Sequence, residues 1–180
     1  MPVVDDLFSQ KISKFIPRLR RYAVVLTRTK EDAEDLLQAT LERAINKQHQ
    51  WKEDTHLDRW TFTIMSSIWK NKIRSRMTRQ GNGNSNDIDT LIDHTPNKNL
   101  EGTFLLNQVF KEVMELSENQ REAILLVYVE GLKYQEAADI LAIPTGTLMS
   151  RLARARITLA NNLSDEHQNS NVIDFKEHKG

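Results

Sequence analysis

The sequence predicts an all-α protein of two small helical domains joined by a flexible linker, the C-terminal domain containing a helix-turn-helix. Apolar residues recur at helical spacing through residues 6–73 and again through residues 100–159. Between these regions, the segment RQGNGNSND carries glycine, asparagine and other polar residues in place of apolar anchors. Near the C-terminus, only Ile143-Pro144 separates two short helical patterns. We therefore expect domains at residues 1–78 and 100–163, a linker at 79–99 and a disordered tail at 164–180.

The first domain contains three apolar stripes, and each predicts a helix. The first stripe is interrupted by Pro17, which predicts a kink or a restart of the helix. Its apolar residues are Phe8, Ile12, Phe15, Ile16, Leu19, Ala23 and Leu26. The second stripe contains Ala33, Leu36, Leu37, Leu41, Ala44 and Ile45. The third begins with Trp60, Ile64, Ile68 and Trp69. These residues are the expected core of the domain.

The second domain begins with a helical pattern at Leu100–Leu116. Ser117 and Gln120 then have the spacing of a capping box that opens the next helix. That helix has four apolar positions, namely Ala123, Ile124, Val127 and Tyr128. The pattern at Tyr134–Ala142 predicts a helix of two to three turns, and Thr145 is the expected N-cap of the helix that follows Pro144.

The last helix separates its side chains by face at about 100° per residue. Its apolar stripe contains Leu148, Leu152, Ala155 and Leu159. The opposite side contains Thr147, Ser150 and Arg154, with Met149 and Ala153 at its edge. Arg151 and Arg156 flank the apolar stripe. Small polar residues and arginine suit base edges in the major groove, and flanking arginines suit phosphates, although a solvated helix of an ordinary bundle has a similar pattern.

The composition indicates a soluble protein of the cytoplasm. The chain has no cysteine, which fits a reducing compartment. It has no apolar run long enough to span a membrane, and its start, MPVVDDLFSQ, is acidic where a secretory signal is basic. The 25 basic and 25 acidic side chains cancel, but residues 1–80 hold 16 basic against 10 acidic ones. Because phosphate neutralisation supplies most non-specific affinity, we expect weak DNA binding without a partner.

The sequence contains no group of residues that indicates catalysis, a cofactor or a metal. All five histidines lie in polar segments without the spacing of metal ligands. The Gly81–Gly83 segment is not a phosphate loop, because no strand precedes it and no helix N-terminus follows. We therefore expect that the protein is not an enzyme.

Three motifs in this order resemble one family. They are DAEDLLQ, the basic tryptophan-bearing segment LDRWTFTIMSSIWKNKIRSR, and GT-x-x-SRL-x-RAR within the helix-turn-helix. With these motifs the chain resembles a group IV, or extracytoplasmic-function, sigma factor of bacterial RNA polymerase. The resemblance covers about two-thirds of the chain. It implies that residues 1–78 are sigma region 2 and residues 100–163 are region 4. The implied partners are core RNA polymerase, promoter DNA and an anti-sigma factor.

A polar row follows the apolar stripe of the second predicted helix. Asp35, Gln38 and Glu42 project from one side and are able to hydrogen-bond a basic helix. The resemblance assigns Asp35 and Gln38 to the polymerase interface, although acids at the start of a helix also complement its dipole. Ala39 stands where the family commonly has glutamate.

The basic helix at Asp58–Arg76 interleaves tryptophan with cations. Basic side chains follow phosphates and aromatic rings stack on exposed bases. The residues we expect to bind the downstream promoter element are Trp60, Ser67, Lys70, Asn71, Arg74 and Arg76. The resemblance implies a pocket for an unstacked base in the loop Gln48–Leu57, with Ser67 at a position where the family has asparagine. Trp60 is also interpretable as a core residue.

The upstream promoter element is expected to contact the last helix. The residues concerned are Thr145, Thr147, Met149, Ser150, Arg151, Ala153, Arg154 and Arg156. Met149 departs from the family, which commonly has a basic residue there. The family further implies that Asp87, Asp89 and Asp93 of the linker follow the RNA-exit channel, although a solvated spacer explains them equally well.

Two other interpretations remain open at this point. An ordinary helix-turn-helix regulator would bind DNA without polymerase, but it leaves DAEDLLQ and the tryptophan-bearing helix unexplained. A sigma mimic would instead bind an anti-sigma factor and lack promoter function. The three arginines of the last helix argue against a mimic.

Overall fold

The computed structural model describes residues 6–53, 55–80 and 109–173, and all regular structure within these ranges is helical. The first four helices are α1 (Asp6–Ser13), α2 (Ile16–Thr27), α3 (Lys30–Asn46) and α4 (Leu57–Gln80), with a 3₁₀ turn at Gln48–Gln50. Helix α5 spans residues 109–115. It is followed by α6 (Glu118–Ile124), α7 (Tyr134–Leu141) and α8 (Thr145–Ile173). The all-α prediction is confirmed. We refer to α1–α4 as the N-terminal unit and to α5–α8 as the C-terminal unit.

Local sequence explains where the early helices begin and end. Pro17 lies in the first turn of α2, so it separates α2 from α1 as a restart and not as a kink. Helix α2 ends where Arg28 adopts a left-handed φ of 66°. Helix α3 then begins with Thr29 as its N-cap, because the threonine hydroxyl accepts the backbone N–H of Asp32 at 3.3 Å.

The predicted apolar stripes of the first domain supply its core. Ala33, Leu36, Leu37 and Ala44 of α3 are buried, and Leu41 is half-buried. In the C-terminal unit, the Ser117–Gln120 capping box is present.

Tyr128, one of the four apolar positions of the predicted helix, is half exposed. The cause is a π-helical turn at Leu125–Val129, in which the N–H of Glu130 donates to the carbonyl of Leu125 at 2.9 Å. The turn shifts the side chains around the helix, and Leu125 and Leu126 are buried instead of Tyr128.

The two units pack against each other and share one core. Tyr22 and Phe62 of the N-terminal unit lie in the same buried cluster as Leu126, Leu141 and Leu148 of the C-terminal unit. The main contacts join α2 to α6 and α4 to α7. A second buried cluster, around Phe8 and Ile64, belongs to the N-terminal unit alone. We call this packing the closed arrangement, and the sequence did not predict it.

The structure differs from one predicted segment boundary and does not describe most of the predicted linker. Helix α8 continues past Leu163 to Ile173, so the helix does not end where the tail was expected to begin. Most of the expected linker, including Asp87, Asp89 and Asp93, lies outside the described residues, as do residues 174–180. Within the described ranges, no helix is long and apolar enough to cross a membrane. The same ranges contain no cluster of histidine and acidic side chains that would hold a metal ion.

Candidate nucleic-acid and polymerase interfaces

Helices α7 and α8 form the helix-turn-helix. Helix α7 ends at Ala142, whose φ of 52° is left-handed, and Pro144 precedes α8. The buried side of α8 contains Leu148, Leu152 and Ala155, as the sequence predicts. The packing of this stripe on the unit fixes which side of α8 faces outward.

The predicted upstream-element residues lie on the outward side of α8 or at its edges. Met149, Arg154 and Arg156 are exposed. The remaining five are half-buried, namely Thr145, Thr147, Ser150, Arg151 and Ala153. The Ser150 hydroxyl donates to the carbonyl of Thr147 at 2.8 Å, so its lone pairs remain available as acceptors.

The prediction that Thr145 caps α8 is wrong. The carbonyl of Pro144 accepts the N–H groups of Thr147 and Leu148, which makes Pro144 the N-cap residue. Thr145 is the first helical residue, and its hydroxyl donates to Oε1 of Gln135 at 2.7 Å. This bond joins α8 to α7 and fixes the angle of the turn.

Four of the six predicted downstream-element residues share one stripe of α4. Trp60, Ser67, Asn71 and Arg74 fall within about 60° of each other on a helix of 100° per residue. Ser67, Asn71 and Arg74 are exposed, and Trp60 is half-buried with its ring edge against Phe8. We call these four residues the α4 stripe. It combines a ring, hydrogen-bonding groups and a cation on one accessible surface.

The other two predicted residues, Lys70 and Arg76, lie off the α4 stripe. The Lys70 ammonium donates to the carbonyl of Leu141 at the end of α7, and burial lowers the pKa of Lys70. Arg76 contacts Asp32 at 3.3 Å and lies over the ring of Trp69. The structure therefore does not bring Lys70 and Arg76 together with the stripe.

A cavity of about 480 Å³ lies next to the N-terminus of α4. Its lining is formed by Lys11, Lys14, Phe15, Trp51, Glu53, Thr55, His56, Leu57 and Asp58. Lys11 places its ammonium 5.0 Å from the centre of the Trp51 ring, and the indole N–H of Trp51 is buried without a partner in the described structure. Sequence reasoning located the loop but missed Lys11, Lys14 and Trp51, because Lys11 comes from α1 and Lys14 from the turn that follows it.

The polar row of α3 is exposed along its length. Asp35, Gln38 and Glu42 all face solvent, and the Gln38 amide donates to Oε1 of Glu42 at 3.2 Å. Asp32, on a different side, contacts Lys72 at 2.6 Å, and the hydrogen bond from Lys72 lowers the pKa of Asp32. Asp32 in the first turn therefore joins α3 to α4, and the polar row remains accessible.

Comparisons with known proteins agree with both units. Residues 106–159 match the family described as "Sigma-70, region 4", and residues 12–66 match the "Sigma2 domain of PhyR". The ECF RNA polymerase sigma factor EcfG of Rhodopseudomonas palustris is 31% identical over 161 residues, which cover 89% of this chain and 86% of that protein. The chain belongs to the ECF sigma factor family. Sigma factors are transcription factors and not enzymes, so the expectation that this protein is not an enzyme is confirmed.

Other relatives support the same assignment. The ECF RNA polymerase sigma factor SigC of Mycobacterium tuberculosis is 32% identical over 127 residues, covering 71% of this chain and 68% of the relative. Among solved structures, the sigma factor RpoE in complex with the anti-sigma factor NepR from Bartonella quintana has a TM-score of 0.76 and 32% identity. That similarity covers 89% of this chain and 98% of RpoE. An ordinary helix-turn-helix regulator is therefore set aside, because the relatives match both units.

Proposed function

We propose that this ECF sigma factor acts in the cytoplasm, where it binds core RNA polymerase through α3 and directs promoter-specific initiation through α4 and α8. One observation carries the proposal. A single chain exposes a ring-and-cation stripe on α4 and an arginine-bearing face on α8, and each lies opposite a buried apolar side. Each surface matches one of the two readout modes that promoter recognition requires, single-strand stacking and major-groove contact.

At the upstream element, Arg154 is the residue proposed to read a base. It is exposed at the centre of the outward face of α8, and arginine hydrogen-bonds the O6 and N7 atoms of guanine in pairs. Arg151 and Arg156 lie to either side and suit phosphate contacts, which position the helix without reading sequence. Met149 is half-exposed, and its thioether adds an apolar contact there.

At the downstream element, the α4 stripe and the cavity beside it are proposed to hold the opened strand. Trp60 offers a partly exposed ring, and Ser67 and Asn71 offer donors and acceptors about two and three turns along the same side. The cavity of about 480 Å³ is large enough for one extruded base, and the buried Trp51 N–H is a donor without a partner in the described structure. Lys11 and Lys14 at the cavity rim suit the phosphates that flank such a base.

The test measures polymerase binding and transcription separately. The purified chain is mixed with core polymerase and a library of promoter fragments, and run-off transcripts are sequenced. We expect core binding, with transcripts that start from a shared two-part promoter. If the chain does not bind core polymerase, the proposal is wrong.

Paired variants test the individual surfaces. Arg154→Ala is expected to reduce initiation by about fivefold to about a hundredfold, since one bidentate base contact contributes about 1–3 kcal/mol. Arg20→Ala is the control, because Arg20 pairs only with the exposed Glu34 in the described structure. Arg18 is unsuitable as a control, because it bonds Glu130 of the other unit. If both variants lose initiation activity equally, the assignment of Arg154 to the base-reading face of α8 is wrong.

For core binding, Asp35→Lys is compared with Glu34→Lys. The two exposed acids are neighbours in sequence but lie about 100° apart around α3. We expect Asp35→Lys to weaken the affinity for core polymerase at least tenfold and Glu34→Lys to change it less than threefold.

An anti-sigma factor is the proposed regulator, because RpoE of Bartonella quintana is seen in complex with one. A sigma mimic is the second candidate, favoured by the match of residues 12–66 to the PhyR sigma domain. Binding to an anti-sigma factor without any transcription in the library assay would select the mimic.

A further inference from the structure

The outward side of α8 is divided lengthwise into two strips of side chains. The residues proposed to hydrogen-bond DNA lie on one strip, around Arg154. Beside them, three apolar residues recur every four positions and fall within about 80° of each other on a helix of 100° per residue. They are Met149, Ala153 and Ile157, and we call them the apolar strip. Ile157 was not among the residues that the sequence predicted to contact DNA.

The apolar strip is accessible and takes no part in the core. Met149 is 51% exposed and Ile157 is 63% exposed, while Ala153 between them is half-buried. Neither Met149 nor Ile157 belongs to the two buried clusters of the described residues, whereas Leu148 and Leu152 of the same helix do. Single exposed apolar side chains are common and need no explanation, but a row of them beside a base-reading face indicates a contact surface.

The charges around the apolar strip favour duplex DNA as its occupant. Arg154 and Arg156 are both exposed and border the strip on opposite sides, about 160° apart around the helix. From Thr145 to Leu163, α8 has no acidic residue. An apolar row between two cations suits the floor of a groove that is bounded by two phosphate backbones. A protein docked on the same row would have to neutralise both arginines, so we assign DNA to it.

Thymine is the base whose groove edge suits an apolar side chain. In the major groove its C5-methyl group is the apolar contact that a protein can make, whereas the other base edges present donors and acceptors. The apolar strip is about 12 Å long at 1.5 Å per residue, which corresponds to about three or four base pairs at 3.4 Å each. Because the N-terminal part of a recognition helix contacts the base edges, Met149 in the second turn is the best placed of the three residues.

We propose that the apolar strip reads thymine through its C5-methyl group, with Met149 as the principal contact. The proposal rests on the proposed function and deepens it, since it names the base that α8 selects beside the guanine of Arg154. Met149 stands where the family commonly has a basic residue, and the exchange replaces a donor that suits guanine with an apolar group. The upstream element of this protein therefore contains a T·A pair at the position that a basic side chain would reserve for G·C.

Deoxyuridine tests the assignment, because it lacks only the methyl group of thymine and forms the same base pair. The full chain is assembled with core polymerase, and a promoter duplex is taken from those that direct run-off transcription. Each thymine of its upstream element is replaced in turn by deoxyuridine, and the dissociation constant of the holoenzyme is measured for every duplex. The ratio of the constants for the two bases isolates the methyl group, because any general change in affinity cancels.

We expect the replacement of at least one thymine to weaken binding about fourfold, which is the effect of one buried methyl-sized group. In the double variant Met149→Ala, Ile157→Ala, the same replacement should change the dissociation constant by less than about 1.5-fold, because the methyl group has lost its partner. Val129→Ala is the matched control. Val129 is as exposed as Met149, at 51%, but lies in the π turn outside α8, so the fourfold effect should remain.

Three results would overturn the thymine assignment. One is that deoxyuridine binds the parent holoenzyme like thymine at every position. Another is that the deoxyuridine effect persists undiminished in the double variant. The third is an upstream element that contains no T·A pair. Each of these leaves the proposed function standing if the holoenzyme still initiates from its promoter. A chain that does not bind core polymerase refutes the proposed function, and the thymine assignment with it.

A second variant is expected to change which base is selected. Met149→Arg places a basic side chain on the same exposed position of α8. When promoters are selected again from the library, we expect a G·C pair to replace the T·A pair at the position of the deoxyuridine effect. A loss of folding stability would lower activity without changing the selected base. If Met149→Arg keeps the T·A pair at that position, Met149 is not the principal contact and the proposal is wrong.

Discussion

Replacement of Arg121 should be among the most damaging single changes in this protein. Arg121 is 2% exposed, and its guanidinium donates to three backbone carbonyls, those of Val25 at 2.6 Å, Met114 at 3.1 Å and Leu116 at 2.9 Å. These acceptors lie near the ends of α2 and α5, where carbonyls have no partner within their own helix. One side chain therefore satisfies helix ends in both units.

The expected magnitude follows from two opposing effects. Three hydrogen bonds from a charged donor contribute roughly 1.5–3 kcal/mol each. Against this, burial lowers the pKa of Arg121 from 12.5 to about 10, which corresponds to a cost of roughly 3 kcal/mol for holding the charge. Arg121→Met fills the same space without donors, so we expect the free energy of unfolding to fall by about 3 kcal/mol.

Urea denaturation followed by far-UV circular dichroism measures this loss. Arg20→Met is the control, because the Arg20–Glu34 pair is half-exposed and such pairs contribute less than about 1 kcal/mol. If Arg121→Met unfolds within about 1 kcal/mol of the parent chain, the carbonyls do not depend on Arg121 and the reasoning is refuted.

Three further changes test the local structure. Ala142→Gly should stabilise the protein by about 0.5–1 kcal/mol, because Ala142 has a left-handed φ of 52° that glycine adopts without strain. Ala153→Gly is the control, and it should destabilise the protein by about 1 kcal/mol because Ala153 lies within α8. Thermal unfolding in which both variants shift stability in the same direction would contradict this prediction. Thr29→Ala removes the N-cap of α3 and should lower the free energy of unfolding by about 1 kcal/mol, as measured by urea denaturation. An unchanged free energy of unfolding would contradict the capping role of Thr29. The hydrogen bond from Lys72 lowers the pKa of Asp32 below its ordinary 3.8, so this contact stabilises the fold above that value and is lost as pH falls below it. Asp32→Asn should therefore flatten the dependence of stability on pH below about pH 4, and an unchanged slope would exclude the contact as its source.

Sequence periodicity predicted the elements of this fold well because most of its helices have a single apolar side. The α3 stripe from Ala33 to Ala44 and the buried residues Leu148 and Leu152 of α8 follow directly from helical spacing. The capping box at Ser117 and the restart at Pro17 are local signals, and both were found from neighbouring residues alone.

The packing of the units was not predictable in the same way. Arg121 and Glu122 look like ordinary surface residues of a helix, and their burial depends on α2, which lies about a hundred residues earlier in the chain. Trp69 was expected only in the core of the first domain, and its bond to Glu118 identifies it as a contact between units. Lys70 was assigned to DNA by its charge, whereas in the closed arrangement its ammonium lies at the end of α7. Pairing across distant segments leaves no periodic signal in a single sequence.

The wide turn at Leu125–Val129 makes the coupling between the two halves sensitive to the loss of one residue. A π turn contains one more residue than a regular helical turn, so deleting a single amino acid there would leave an unbroken α-helix. The deletion would rotate Glu130, which directly follows the turn, by about 100° relative to α6. Glu130 would leave both Arg18 and Arg21, while the backbone hydrogen bonds of the helix would be kept. The loss of one codon would therefore remove the Glu130 ion pairs between the two units, while Arg121 and Glu118, which precede the turn, would keep their bonds to Val25 and Trp69.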